Sequence, residues 1–351
     1  MIEQSILDSP KKIKEIDKSD MLTFIDELPE MMLKAREISK AVKLPTLKKT
    51  EKIVIAGMGG SAISGDITST LLSYEIEIPI FTYRTYDLPK AVGKETLLFA
   101  ISYSGNTEET LSILKGSPTS QIIAITSGGQ LKKLAEEKGI PLILIPYGIP
   151  PRAALGYLLT PVLIILERLG LAQKLKEQIE ETVNLLAKLK ANYLVTTPEK
   201  ANPPKKLAQK LYKKIPIIFA TCGTTEAAGL RWKTQFSENS KMTALLNLFP
   251  ELNHNEIVNL GELKKGEHSF SLVILRDKED HKQVKKRIEI TKKLLQDKIE
   301  ITEVWAQGQS RLARLMSLIY FGDYLSVYLA LLNGTDPTPV RIIENLKKEL
   351  A

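Results

Sequence analysis

Cysteine is nearly missing from this chain. A single residue, Cys222, excludes an intrachain disulfide and any Cys-rich metal site. Histidine is scarce too, with three in all, and neither an H-E-x-x-H motif nor a Cys/His cluster is present, so the usual ligand sets for zinc are lacking. No apolar run is long enough to span a bilayer comfortably. The longest, around "LGYLLTPVLIILERLG", is interrupted by Pro161. The opening "MIEQSILDSPKKIKEIDKSD" is charged and lacks the apolar core of a signal peptide. A cytoplasmic protein with no membrane partner is expected. Arginine-rich tracts, zinc fingers and aromatic RNA-binding signatures are also absent. The net charge of +8 therefore does not point to nucleic acid. In "KKLLQDKIEI" and "KLKEQIEETVNLLAKLKANY" lysines alternate with acids, as on solvated helix faces. A mild attraction for anionic metabolites is the plainer consequence.

What is present describes a globular α/β protein. Apolar residues make up 43% of the 351 positions and charged residues 26%, and the length allows two domains with separate cores. The first fifty residues read as helical, with apolar residues in "MLTFIDELPEMMLKAREISKAVKL" at helical spacing. Strand, turn and helix then recur in "EKIVIAGMGGSAISGDITSTLLS", "ETLLFAISYSGNTEETLSILK" and "SQIIAITSGGQLKKLAEEKG", with further strands in "IPIFTYRTYDLP" and "IPLILIPYG". Short apolar runs alternating with amphipathic helices predict a doubly wound parallel sheet with helices on both faces. Long helical segments lead to Pro203-Pro204, a linker signal. A second cycle begins at "KIPIIFATCGTTEAAGLRWKTQFSENSK", with more strands in "SFSLVILRD" and "KIEITEVWA". The expected organisation is a helical segment over 1–48, a first α/β domain over 49–170, a helical linker over 171–204 and a second α/β domain over 205–351.

Two loops attract attention. "LLFAISYSGNTEETLSILK", residues 97–115, sets Ser102, Ser104 and Thr107 between a strand and a helix. Turn chemistry and an N-cap explain such residues, since Ser, Asn and Gly favour turns for local reasons. An anion cradle, in which hydroxyls and helix-start amides surround a phosphate, explains them equally. "GMGGSAISGD", residues 57–66, has glycines that permit tight turns and close ligand approach, with Ser61 near a helix start. It contains neither the Lys-Ser/Thr pair of a P-loop nor G-x-G-x-x-G. Three single residues stand out elsewhere: Arg152 in "PPRAALGY", Glu238 in "FSENSK" and His254 in "LNHNEI". Each has an ordinary account, as a surface or ion-pair arginine, a salt-bridging glutamate and a loop histidine. His268 and His281 sit in strongly charged contexts and read as surface histidines.

Taken together, "GMGGSAISGD" and "ISYSGNTEET" resemble the two phosphate loops of the sugar isomerase (SIS) domain. "PPRAALGY", "SENSK", "PELNHNEI" and a C-terminal "DPTPV...LK" follow in the order found in the archaeal-type bifunctional phosphoglucose/phosphomannose isomerases, over about residues 50–351. The resemblance implies two SIS-like, flavodoxin-like subdomains of three layers, α/β/α. It implies that Gly60, Ser61, Ser102, Ser104 and Thr107 hold a sugar phosphate and that Glu238 moves a proton between C1 and C2. Arg152 would face the enediolate, and His254 would assist ring opening from the neighbouring subunit of a homodimer. Lys347 would contact the ring-oxygen region, although Lys348 stands beside it. No metal and no cofactor are implied.

The chemistry suits these residue types. Aldose–ketose isomerisation opens a pyranose, removes a weakly acidic C–H proton and returns it one carbon away, which a carboxylate can do as base and then acid. A fixed cation stabilises the enediolate, and a histidine shuttles a proton near neutral pH. Rival readings are other isomerases on this scaffold and a non-catalytic sugar-phosphate sensor. The isomerase half of glucosamine-6-phosphate synthase needs a glutaminase domain with a nucleophilic cysteine, and residues 1–50 contain none. Arabinose-5-phosphate isomerases usually have one SIS domain. A sensor usually brings a helix-turn-helix, and no clear recognition helix is present.

Overall fold

The structure, a computed structural model, describes residues 5–44, 46–47, 49–119, 121–264 and 269–350. His268, read above as a surface histidine, lies outside them. The chain forms two compact units, one of residues 27–187 and 307–316, the other of residues 1–26, 188–306 and 317–351. The first 26 residues thus group with the later part of the chain. They carry α1 (Pro10–Ile16) and α2 (Met21–Asp26). Asp17, itself buried, starts α2 by accepting hydrogen bonds from the Met21 and Leu22 amides at 2.8 and 3.0 Å.

In the first unit, α3 (Leu28–Ala41) precedes a five-stranded sheet of β1 (Lys52–Ala56), β2 (Ile80–Tyr83), β3 (Thr96–Ile101), β4 (Ile122–Thr126) and β5 (Leu142–Leu144). All pairings are parallel and the order is β2-β1-β3-β4-β5, the doubly wound arrangement. Every residue of β3 and β4 is buried, which explains why these strands read as unbroken apolar runs. On one face Val54, Ala56, Leu98, Ala100 and Ala124 pack against Ile113 and Leu114 of α5 (Glu108–Gly116) and Leu131 of α6 (Gly129–Glu137). On the other face α4 (Gly59–Leu72) packs against β1 and β2, and α7 (Leu155–Arg168) packs against both α4 and α3. This is a three-layer α/β/α unit.

From here α8 (Leu175–Tyr193) begins in the first unit and ends in the second. The second unit continues with α9 (Pro203–Leu211) and a sheet of β6 (Ile215–Thr221), β7 (Leu245–Phe249), β8 (Phe270–Arg276) and β9 (Glu300–Trp305). It too is parallel, in the order β7-β6-β8-β9, repeating the first four positions of the first sheet. β7 is missing from the reading of the sequence. It is an edge strand whose residues, apart from Phe249, are only partly covered, so its sequence lacks the buried-run signature. Between the strands lie α10 (Glu226–Gln235), α11 (Ile257–Gly261) and α12 (Lys282–Leu295). Ile217, Phe219, Leu272 and Ile274 pack against Ile288 and Leu295 of α12. Finally come α13 (Arg311–Leu332) and α14 (Arg341–Leu350). By length and composition α13, not the segment around Pro161, is the helix that could cross a membrane; 94% of its apolar window is buried, as in a core helix. By contrast, α14 buries no residue of its own.

Candidate active site

In a doubly wound sheet the crossover reverses direction between the first strand and its second neighbour, and ligands bind at the carboxyl ends there. In the first unit that point lies between β1 and β3. The loops leaving these strands are residues 57–58, running into the start of α4, and 102–107; both lie in the segments singled out by their glycines and hydroxyls.

The geometry draws them together. Gly60 lies so close to the segment before α7 that a Cβ there would stand 2.8 Å from the Pro151 carbonyl oxygen and 3.1 Å from the Arg152 Cα. Arg152 is buried beside the first loop rather than on the surface. Ser61, also buried, accepts a hydrogen bond on its hydroxyl from the Tyr103 amide at 3.2 Å, which joins the first loop to the second. The phenol of Tyr103 donates to the Pro146 carbonyl at 3.0 Å and accepts from the Ile149 amide at 2.9 Å, fixing the segment that leads to Arg152. Burial pushes this phenol's pKa up, so it stays protonated as a donor.

Within the second loop the Ser102 and Thr107 hydroxyls lie 2.8 Å apart, and the Gly105 amide donates to Ser102 Oγ at 3.0 Å. Ser104 is exposed and accepts from the Asn106 amide at 3.3 Å. Thr107 occupies the N-cap of α5 without capping it, and Met58 likewise leaves α4 without a side-chain cap. Two helix starts therefore point positive dipole ends at this place, each favouring an anion by about 0.3–1 kcal/mol.

The structure adds a third loop to which the sequence reading gave no role. Gly105 has φ +71°, and a Cβ there would sit 1.8 Å from the Gly128 carbonyl oxygen. The Ser127 hydroxyl donates to the Tyr103 carbonyl at 2.6 Å, and Asn106 Oδ1 accepts from the Gln130 amide at 3.0 Å. Residues 126–130 thus buttress the second loop. The signal for them was "TSGG", a third Gly-containing turn at a strand end.

Glu238 lies in the second unit. After α10 the chain does not simply continue as α-helix; residues Phe236–Ser240 form a π-turn, closed by Lys241 in the left-handed region at φ 55°. Glu238 is the middle residue of that turn, half-buried, and lines a cavity of about 910 Å³ together with Lys241, Thr335 and Arg341. π-turns inside helices occur frequently at functional sites. His254 ends a short 3-10 turn, Glu251–His254, after the cis Phe249–Pro250 bond; it is exposed and does not line that cavity. Lys347 and Lys348 both lie on α14 and are exposed, whereas the start of the same helix, through Arg341–Ile343, reaches the cavity.

The equivalent switch point of the second sheet is built differently. At the ends of β6 and β8, the Thr224 hydroxyl donates to Asp280 Oδ1 at 2.5 Å, and the Asp277 and Glu279 amides donate to carboxylates of Asp280 and Asp277. Burial raises the Asp280 pKa. Here three donors are already taken by carboxylates, an arrangement unlike that of the first unit's loops.

Comparison with known proteins identifies the family. The chain is 46% identical over 335 residues to the bifunctional phosphoglucose/phosphomannose isomerase of Caldicellulosiruptor bescii, covering 94% of this chain and 99% of that one. The chain belongs to this family. The bifunctional phosphoglucose/phosphomannose isomerase of Thermoplasma volcanium is 39% identical, over 86% of this chain and 92% of its own. The profile of the bacterial phospho-glucose isomerase C-terminal SIS domain matches residues 200–350, the part of the chain that holds Glu238, His254 and α14. Among solved structures, a hypothetical protein from Thermus thermophilus superposes with a TM-score of 0.72 at 18% identity, over 94% of this chain and 90% of that one. The C-terminal domain of glucosamine-fructose-6-phosphate aminotransferase from Francisella tularensis gives 0.67 at 17%, over 91% and 98%. These two show the shared fold.

Proposed function

We propose that this member of the family interconverts glucose 6-phosphate and mannose 6-phosphate with fructose 6-phosphate through a cis-enediolate, with Glu238 as the single proton-transfer group. The phosphate is held by the Ser61, Ser102, Ser104 and Thr107 hydroxyls, with Gly60 allowing close backbone approach. After ring opening, in which His254 passes a proton between ring oxygen and hydroxyl, the Glu238 carboxylate takes the proton from C2. Electrons move into a C1–C2 double bond, and the negative charge that develops on oxygen is met by Arg152. Return of the proton to C1, with a proton passing between O1 and O2, yields the ketose. Glucose and mannose 6-phosphates differ only at C2 and share this intermediate, so rotation about C2–C3 lets one base serve both. Lys347 acts near the ring oxygen. His254 comes from the neighbouring subunit of a homodimer, and a cytoplasmic setting goes with this reading. No metal or cofactor enters these steps.

One observation carries the proposal: two hydroxyls, Ser102 and Thr107, meet at a helix start that no side chain caps, beside Gly60, Ser61 and a buried Arg152. Fold stability alone would favour a conventional cap at that position. Family membership supplies the reaction for which such a cradle is suited.

The test is purified protein with fructose 6-phosphate, coupled separately to detection of glucose 6-phosphate and mannose 6-phosphate. Turnover to both, lost by a factor of about 10²–10⁴ in Glu238→Gln while fructose 6-phosphate still stabilises the variant against heat, is the expected result. Ligand stabilisation with no turnover in the unaltered protein would instead identify a sensor. Hydrogen exchange showing separate bases for the two epimers would remove the single-base mechanism.

A further inference from the structure

The three residues that follow Glu238 are each tied to another part of the second unit. Asn239 Nδ2 donates to Ser326 Oγ at 2.9 Å, and the Ser240 hydroxyl donates to the Ser326 carbonyl at 2.6 Å. Ser326 Oγ in turn donates to the Asp323 carbonyl at 2.7 Å. Asn333 Nδ2 reaches the Ser240 carbonyl at 3.4 Å. Lys241 Nζ bridges the carbonyls of Glu238 and Pro337 at 2.6 and 3.0 Å. Asn239, Ser240 and Ser326 are essentially inaccessible to solvent.

Burying an amide and two hydroxyls costs free energy unless each finds a partner. Small apolar side chains would fill the same space without that requirement. Polar residues at these positions therefore specify a geometry, and the geometry they satisfy is that of the π-turn. Without the ties, this segment would relax toward α-helix, with better-aligned backbone bonds. One residue in a helix corresponds to a rotation of about 100°, so such a relaxation would swing the residues of the turn about the helix axis. Glu238 sits at the centre of the turn.

We propose that Asn239 and Ser326 form a positioning latch that keeps the π-turn open and thereby aims the Glu238 carboxylate. The latch rests on Glu238 being the proton-transfer group. It makes Asn239 and Ser326 positioning residues, since neither needs to touch substrate.

The test uses full-length Asn239→Ala, Ser326→Ala, the double variant and Ser326→Thr, assayed for conversion of fructose 6-phosphate to glucose 6-phosphate, with Glu238→Gln alongside. A misplacement of about 1 Å can cost about 10²-fold in rate. Each alanine variant should therefore lose about 30–100-fold in kcat with KM changed by less than about threefold. The double variant should lose no more than either single one, and Ser326→Thr, which restores a hydroxyl, should recover most of the rate. If Ser326→Ala does not fold, Asn239→Ala decides alone, because it leaves Ser326 bonded to Asp323. Alanine variants with kcat within threefold of the unaltered protein, or losses in the two singles that multiply in the double, overturn the latch. An active Glu238→Gln variant would overturn the role of Glu238 itself. An inactive Glu238→Gln with fully active latch variants removes only the latch.

Discussion

Replacing Arg231 by Leu gives a sharp test of how the second unit is held together. Arg231 on α10 meets Asp323 on α13 in a two-pronged contact, Nε to Oδ1 at 2.9 Å and Nη2 to Oδ2 at 2.8 Å, and Gln235 Nε2 adds a bond to Oδ1 at 3.0 Å. Both side chains are almost fully buried, with 3% and 5% exposure. Burial holds the Asp323 pKa above the ordinary carboxylate range despite the pull of Arg231 and Gln235. Taking Arg231 away strips a buried carboxylate of its counter-charge and leaves it the Gln235 amide, and breaking a buried pair from one side costs about 3–5 kcal/mol. A unit of this size shifts by about 2–4 °C per kcal/mol, so the melting temperature should fall by about 6–20 °C. The pH dependence has a definite sign. A carboxyl whose folded-state pKa is raised favours the folded state more as pH falls through that pKa, and that contribution is lost as pH rises. Loss of Arg231 raises the pKa further, so the deficit of Arg231→Leu should shrink as pH is lowered from 7 toward the carboxylate range. Urea titrations at several pH values measure this. A deficit under about 1 kcal/mol at pH 7, or one that grows on acidification, would refute the reasoning, since a lost buried pair typically costs several times that amount.

Four other outcomes follow from the geometry. If Ser102 and Thr107 hold the substrate phosphate, Ser102→Ala and Thr107→Val each remove a hydrogen bond to a charged group, worth about 1.5–3 kcal/mol; KM for fructose 6-phosphate should then rise by roughly 10–100-fold, and a rise under twofold would remove these hydroxyls from phosphate binding. Gly105→Ala must adopt a positive φ, at a cost of about 1–2 kcal/mol, and also displace the Gly128 carbonyl; denaturation and KM measurements should show both lower stability and weaker substrate binding. If His254 acts across a homodimer, mixing inactive Glu238→Gln and His254→Ala subunits and allowing exchange should restore up to about a quarter of the activity, because half of the dimers are mixed and each holds one intact site; no recovery after verified exchange would place His254 in its own subunit's site. Cys222 lies at the surface, yet partial desolvation and Glu226 push its thiol up to about 11. Alkylation by iodoacetamide at pH 8 should therefore be far slower than for a free thiol and accelerate toward pH 11.

The chain's local chemistry was legible without coordinates wherever one segment completes a unit by itself. "KIVIA", "TLLFAI" and "IIAIT" are short and almost wholly apolar because both sheet faces are covered, and each runs into a turn whose glycines and hydroxyls are contiguous in sequence. Strand, loop and helix start could thus be read together, along with the fold class and the two loops rich in glycine and hydroxyl residues. What could not be read depends on partners remote in the chain. β7 is a half-covered edge strand, so no periodicity marks it. α13 has membrane-like composition but is buried within the protein. The first 26 residues group with a sheet that begins near residue 215. "FSENSK" reads as the end of an ordinary helix, and it becomes a π-turn where Asn239 meets Ser326, 87 positions further on. Arg231 and Asp323 are separated by 92 positions and look like surface charges until packing removes their water. Hydrogen bonds between neighbours in sequence are encoded in composition and spacing, whereas the direction in which Glu238 is carried depends on which distant side chains the fold buries beside it.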